Sequence, residues 1–420
     1  MKIDGFHVSL NLRGLNRWEK LSYPARFGLL HEVSGNGFTV RFNMRGEVTH
    51  FRAEDDSWPH PHDWIRITPS GKRIYMSAGS YIDPVSLYGE YFIPVPEERT
   101  NSLFPANPFS MPGVRHAARN LDRWLDRLTG IKNPPGSLAG FLDSVRRSRR
   151  TAGERSAEFK RAIKGAVPVL PPDARHVQYD LLPVIISDGC LHNCGFCTIK
   201  TGNDFRERRT DEIKGQLDST RQWLGQDIRN VNALFLGQND ALACSGELIL
   251  RAISLTRERL EISRSFMKEP RVFMFGSVTS LLEAENDLFR KMEATEFQWH
   301  INIGFESFHQ TSLEMLKKPV AAREVKDAFS RAAEINRTFR HVEITGNIVL
   351  WEQLPDRHMQ LAKETLADHA ANSAGGRPLT IYLSPVTGHD LEGSGRIMKM
   401  AKEIQRGSPL PCFLYLLTGL

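Results

Sequence analysis

Cys190, Cys194 and Cys197, in SDGCLHNCGFC (187–197), put three thiols within eight residues of a 420-residue chain that has only two other cysteines, Cys244 and Cys412. Thiolates are the soft ligands of zinc, copper and iron–sulfur centres, and a short loop can bring three of them to one centre. Gly189 and Gly195 let the backbone fold closely around a large inorganic group. A structural zinc wants four ligands, and His192 inside the loop could supply the fourth, but zinc motifs usually come as separated pairs. An iron–sulfur cube is normally held by four cysteines. Three would leave one iron open as a position for substrate or cofactor. Five cysteines, an odd and sparse set, argue against a disulfide framework.

The elements around this loop set its surroundings. From Tyr179 onward the pattern alternates, with strands expected at 182–187, 231–236, 271–277, 298–304, 341–349 and 379–384. Helical stretches fall between them near 210–224, 246–263, 279–293, 308–337 and 354–371. Six strands alternating with helices predict a mostly parallel sheet with right-handed crossovers. The cysteine loop leaves the first strand at the sheet's C-terminal edge, where ligand sites of such folds gather. Two strands alternate where buried parallel strands usually run apolar. His300, Asn302 and Glu306 oppose Ile301, Ile303 and Phe305, and Glu343, Thr345 and Asn347 oppose Val342, Ile344 and Ile348. In a barrel that polar face would line the lumen and meet a polar ligand; at an edge it would face solvent.

The motif Cys190-Leu191-His192-Asn193-Cys194-Gly195-Phe196-Cys197 resembles the cluster motif of the radical SAM superfamily, in which an aromatic residue, here Phe196, commonly precedes the third cysteine. The resemblance implies a [4Fe–4S] cluster held by Cys190, Cys194 and Cys197, with S-adenosylmethionine (SAM) chelating the open iron. It implies reductive cleavage of SAM, usually to a 5′-deoxyadenosyl radical, and a partial (β/α)6 TIM-like barrel. LFLGQNDALA (234–243) stands where the family has its motif for the SAM amino group, so Gly237, Gln238, Asn239 and Asp240 become candidate contacts. INIGFES (301–307) is similar to the segment whose glutamate, here Glu306, contacts SAM, and SLEMLKKP (312–319) to the helix after it. GNIV (346–349), with Asn347, matches part of a glycine motif near the adenine. The motif style is near that of the coproporphyrinogen dehydrogenases and methylthiotransferases, and a reductant such as flavodoxin or ferredoxin is implied.

Outside the core, residues 1–110 read as a β-rich accessory domain with a hairpin about Arg45-Gly46. Residues 111–176 read as a helical basic connector and Pro-rich linker, 177–388 as the catalytic core, and 389–420 as a C-terminal extension. The accessory domain and C-terminal segment are expected to cover the barrel mouth, and the former to encode substrate identity. Leu121, Trp124, Leu125 and Leu128 mark one apolar helix face. Ser144–Lys164 holds eight basic and two acidic residues, the whole of the chain's formal +6. That stretch is either a solvated helix face or a surface for RNA, anionic lipid or acidic peptide. The composition, 40% hydrophobic and 25% charged, excludes a disordered chain. With no long apolar run and no apolar leader, the expectation is a cytoplasmic protein without membrane spans.

Several residues carry two readings. Arg206, Arg208 and Arg209 in FRERR are either a basic loop before a helix or partners for a carboxylate or phosphate of the ligand. Cys244 and Cys412 read as packed core, His60 and His62 as a Pro-broken loop, and His389-Asp390 as either an acid–base pair or a turn. Two further functions stay open: SAM cleavage with transfer of a 3-amino-3-carboxypropyl group, and a zinc-stapled RNA-binding module.

Overall fold

The computed structural model describes residues 1–18, 26–77, 84–98, 101–103, 107–177, 181–192, 194–197, 204–372, 376–386 and 391–420. The first eight strands pair consecutively as an antiparallel meander: β1 (Lys2–Ile3), β2 (Phe6–Arg13), β3 (Leu29–Gly35), β4 (Phe38–Phe42), β5 (Val48–Ala53), β6 (Trp64–Ile67), β7 (Arg73–Ser77) and β8 (Ile93–Pro96). The expected hairpin about Arg45-Gly46 is the β4–β5 turn, with Gly46 at φ +82°. After α1 (Pro84–Tyr88) come α2 (Pro112–Thr129), α3 (Gly136–Ser148) and α4 (Ala152–Ile163). The predicted α2 stripe, Leu121, Trp124, Leu125 and Leu128, is buried, and Trp124 meets Phe6 edge-on at 5.3 Å. Phe141 of α3 meets Phe42 at 5.2 Å, so both helices cover the same sheet face.

Four of the eight basic residues of the basic segment pair with carboxylates of the chain. Arg146 pairs with Asp143, Arg149 with Asp122 and Asp126, and Arg150 with Glu158. Arg155 turns inward toward Glu47.

The second unit contains β9 (Leu181–Val184), β10 (Ser187–Asp188), β11 (Arg206–Glu207), α5 (Thr210–Leu224), β12 (Ala233–Asp240), α6 (Gly246–Arg259), β13 (Arg271–Ser277), α7 (Val278–Glu283), α8 (Asn286–Glu293) and β14 (Gln298–Glu306). It continues with α9 (Gln310–Met315), α10 (Ala322–Thr338), β15 (Val342–Leu350), α11 (Asp356–Asn372), β16 (Thr380–Pro385), α12 (Leu391–Gly407) and β17 (Cys412–Leu414). Seven of these strands form one parallel sheet in the order β9-β12-β13-β14-β15-β16-β17. This is the expected partial barrel with one strand more than the six expected. The seventh, β17, is three residues of an apolar tail with no alternation to betray it.

The polar faces of β14 and β15 point into the lumen. Register sets His300 beside Glu343, Asn302 beside Thr345 and Gly304 beside Asn347. Asn302 and Asn347 exchange amide hydrogen bonds, 2.6 Å from Asn347 Nδ2 and 3.3 Å from Asn302 Nδ2, and Asn302 also donates to Thr345 Oγ1 at 2.9 Å. His300 stacks on Phe273 and lies 3.1 Å from Glu343.

The Pro-rich linker, expected only to interrupt regular structure, supplies the lumen floor. Asp173 accepts hydrogen bonds from Thr345 Oγ1 and Tyr382 OH, both at 2.7 Å, and burial raises its carboxyl pKa. Arg175 donates to the carbonyls of Tyr88 and Leu414. The C-terminal tail runs beside the linker, with Leu170 N donating to Thr418 O and Leu420 N to Val167 O. The Leu420 side chain packs with Leu181, Phe235 and Phe273. Tyr382→Phe is therefore expected to destabilise the fold by about 1–3 kcal/mol, because a buried carboxylate oxygen loses its donor; chemical denaturation measures it.

The accessory sheet docks at the strand-N-terminal end of the barrel. Leu29 N and O bond the Asn230 side chain at 2.7 and 2.9 Å, Trp18 Nε1 donates to Asn232, and Lys268 N donates to Asn16 O. Asn230 and Asn232 precede β12 and Lys268 precedes β13. These contacts hold the sheet at the end opposite the expected mouth, while Asn101 of the same domain donates to Pro385 O at the C-terminal end of β16 and to Tyr415 O. The C-terminal tail runs along the linker at the floor.

Candidate active site

The cysteine loop begins and ends at a clamp. β10 and β11 pair antiparallel, Ser187 with Glu207 and Asp188 with Arg206, which closes the chain around residues 189–205. Asp188 binds Arg206 at 2.6 Å and Arg208 at 2.5 Å, and Arg208 also donates to Lys164 O. Arg209 pairs with Asp211 and Glu212 in the first turn of α5. All three arginines are thus engaged by the chain's own carboxylates, as the basic-loop reading holds. Asn239 Nδ2 donates to Gly189 O at 2.9 Å and ties the loop's entry to the end of β12.

Cys194 is buried, and Cys190 and Cys197 are half-buried. Burial pushes the Cys190 and Cys194 thiols up, and the Lys318 ammonium opposes that shift at both. Such thiols favour the neutral form until a cationic centre compensates their charge. Three cysteines in a glycine-flanked loop at the strand-C-terminal edge fit a cluster with one iron left open. Phe196 packs with Leu316, Val349 and Leu354, an apolar plug beside the thiols. Gly195 N donates to Leu316 O at 2.9 Å, and a Cβ at Gly195 would sit 3.1 Å from Lys317 Cδ.

Of the four residues Gly237, Gln238, Asn239 and Asp240, the turn separates the roles. Gly237 takes φ +79°, which favours glycine. Gln238 is half-buried beside Gly165. Asp240 caps α7 through Oδ1, accepting from Ser280 Oγ at 2.8 Å and Ser277 N at 3.2 Å, while its Oδ2 is buried without a hydrogen-bond partner and its charge helps push the Cys190 thiol up. A register shift in β12 between Leu236 and Asp240 produces this turn.

Glu306 ends β14 after a second register shift, with φ +64°, a left-handed conformation costly for a side chain with a Cβ. Its carboxylate lies 3.5 Å from Lys318 Nζ, and both groups are buried. Burial raises the Glu306 carboxyl pKa while Lys318 holds it down. Gly304 leaves the room this pair needs: a Cβ there would lie 3.2 Å from Lys318 Nζ. Ser307, next in chain, is fixed by His358 Nδ1 at 2.7 Å, whose Nε2 meets Val349 O. Lys318 and His358 were not among the candidate site residues; the only sequence signal for the former was its place in the segment after Glu306.

Cys244 is buried, its thiol pushed up to about 12, and Cys412 is buried on β17 with its thiol at about 11. Both are packed core, as expected. His60 and His62 lie in the β5–β6 loop with Asp63 3.7 Å from His60. His389 and Asp390 lie outside the described residues.

A parallel partial barrel carries three thiols at its rim above a polar lumen, and among the described residues no three of His, Cys, Asp and Glu stand close enough to hold one metal ion as they are placed. Residues 184–366 match the radical SAM superfamily model. That stretch of the chain carries a radical SAM domain, of the superfamily whose enzymes use a [4Fe–4S] cluster and SAM. Similar solved structures include a radical SAM methyltransferase from Sphaerobacter thermophilus, 14% identical over 56% of this chain and 65% of that one, TM-score 0.37. SuiB of Streptococcus suis is 10% identical over 85% and 71%, TM-score 0.38. Coproporphyrinogen III oxidase of Escherichia coli is 17% identical over 62% and 52%, TM-score 0.33. The chain thus spans just under two thirds of the first and about half of the last. No curated protein sequence matches it. No described helix is long and apolar enough to cross a membrane.

Proposed function

We propose that this protein reductively cleaves SAM at a cluster held by Cys190, Cys194 and Cys197 and acts on a substrate bound in the lumen. The observation that carries this reading is the clamped cysteine loop at the barrel rim, directly against the buried Glu306–Lys318 pair. When bound, the cluster and SAM supply one-electron cleavage of a sulfonium C–S bond and, by the usual route, a 5′-deoxyadenosyl radical. The protein's own groups position and shield. Glu306, with Gln238 and Asn239 on the neighbouring rim, offers polar contacts to SAM, and Asn347 with Asn302 offers amides lower in the lumen. Phe196, Leu316 and Val349 keep water from one side of the loop, and the Asp173–Tyr382 floor closes the other end. We assign residues 177–388 to this chemistry, 1–110 and 111–176 to the accessory domain and connector, and 389–420 to the floor. An external reductant of the flavodoxin or ferredoxin type, in a reducing compartment such as the cytoplasm, suits a loop whose Cys190 and Cys197 are half-buried at the rim.

Anaerobic reconstitution with iron and sulfide, followed by dithionite and SAM, is expected to yield 5′-deoxyadenosine. Methylthioadenosine as the product would instead assign 3-amino-3-carboxypropyl transfer. Neither product from a fully reconstituted protein would overturn SAM cleavage as its activity.

A further inference from the structure

The seam between the accessory sheet and the barrel holds a cavity of about 120 Å³ that no part of the proposed chemistry uses. It lies at the start of the barrel strands, beside Leu181, Asn230 and Val231, roughly 15–20 Å below the cysteine loop by strand rise. Arg26, Arg41, Arg45, Arg66 and Arg155 line it, against only two carboxylates, Glu47 and Asp227. A third, Glu32, is bound by Arg26 and Arg41. Glu158 also acts on Arg155 from within α4. His50, also in the wall, is held neutral by burial and by Arg41 and Arg66, so it adds no positive charge.

The arginines are built in rather than draped over the surface. Arg66 is 1% exposed. Arg45 stacks on Trp223 at 3.9 Å and donates to Trp223 O and Glu47. Arg41 stacks on Trp64 at 4.1 Å. Arg155 reaches in from α4 to the carbonyls of Val48 and Thr68. Arg45 and Arg155 each keep a buried Nε–H with no hydrogen-bond acceptor, Asp227 lying 3.8 Å from the first. Buried cations with unused donors are costly unless an anion meets them. Asn43, Thr49 and Asn230 add polar groups, and the remainder of the wall is apolar or aromatic, including Phe27, Ile67 and Leu182.

We propose that this cavity is a binding site for a small organic anion, its charged head on Arg45 and Arg155 and its apolar body against Phe27, Ile67 and Leu182. A volume of about 120 Å³ approaches that of cavities of about 150 Å³ that take benzene, room for a charged head on a small body. The bound anion would join β4 and β5 to the C-terminal end of α5, the helix whose first turn carries Arg209 beside the loop clamp. This site stands apart from the SAM reading and is tested without it.

The test uses the full-length protein with benzoate and inorganic phosphate as probes and benzamide as the uncharged counterpart of benzoate. Benzoate at about 10 mM is expected to raise the unfolding temperature by roughly 2 °C and to bind once per chain by calorimetry, with benzamide inert. A comparable effect of phosphate would show that the arginines read the charged head alone. Arg155→Met and Arg45→Met are expected to weaken benzoate about tenfold or more, while Arg323→Met, on an exposed helix face, leaves it unchanged. Should either inner variant fold poorly, Trp223→Phe is expected to lose the benzoate-induced change in tryptophan fluorescence. Equal effects of benzoate and benzamide, or benzoate binding unchanged in Arg155→Met, would overturn the proposal.

Discussion

Anaerobically reconstituted Cys194→Ala protein is expected to lose its iron–sulfur absorption and to fall to background in SAM cleavage, and Cys190→Ala and Cys197→Ala to do the same. Cys244→Ala and Cys412→Ala are expected to keep both, with a stability cost of about 1–2 kcal/mol each. The contrast follows from position and protonation. The ligand form of cysteine is the thiolate. Burial holds the Cys244 and Cys412 thiols at about 12 and about 11, each with only one neutral side chain, Ser187 or Ser408, to ease the shift. Cys190 and Cys194 have the Lys318 ammonium nearby, and the β10–β11 clamp holds the two ends of the loop at the rim. Iron and acid-labile sulfide counts together with the visible spectrum decide the matter. A full complement of both in the Cys194 variant would remove that residue from the ligand set.

What the sequence disclosed and what it concealed divide along the range of the forces involved. The cysteine spacing is local, and so is the period-two alternation that placed Asn302, Thr345 and Asn347 on one face. Both are written in consecutive residues, and both reappear in the lumen. The roles of Gly237–Asp240 were less legible because a strand irregularity rotates Asp240 onto the α7 cap, a rotation no periodicity encodes. Asp173 sat in a stretch whose prolines signalled only a break. Its function as a floor depends on Thr345 and Tyr382, which are 172 and 209 residues away. The basic segment misleads in the same way: its charge is conspicuous in sequence, but its partners, Asp122, Asp126 and Glu47, arrive only with the fold. The docking of the accessory sheet beneath the barrel turns on Asn230 and Asn232, polar residues just before a strand that look like ordinary loop chemistry.

Glu306 and Lys318 are buried together at the rim, and Lys318→Met is expected to destabilise the protein by about 3–5 kcal/mol near neutral pH, because it leaves a carboxylate buried without its counter-charge. The Lys318→Met/Glu306→Gln double variant is expected to recover most of that loss, since a neutral amide carries no such penalty. The pH dependence has a definite sign. Burial already raises the folded-state pKa of Glu306 above its ordinary value, and Lys318 is what restrains it. Without Lys318 the pKa rises further. A carboxyl whose folded pKa exceeds its unfolded one favours folding only while protonated, and that advantage is lost as pH rises through the folded value. The penalty in Lys318→Met should therefore be smaller near pH 5 than near pH 8, with the double variant showing little difference between them. Urea unfolding midpoints at the two pH values measure this directly. A double variant as unstable as the single one would mean that Lys318 acts through its packing against the cysteine loop rather than through its charge on Glu306.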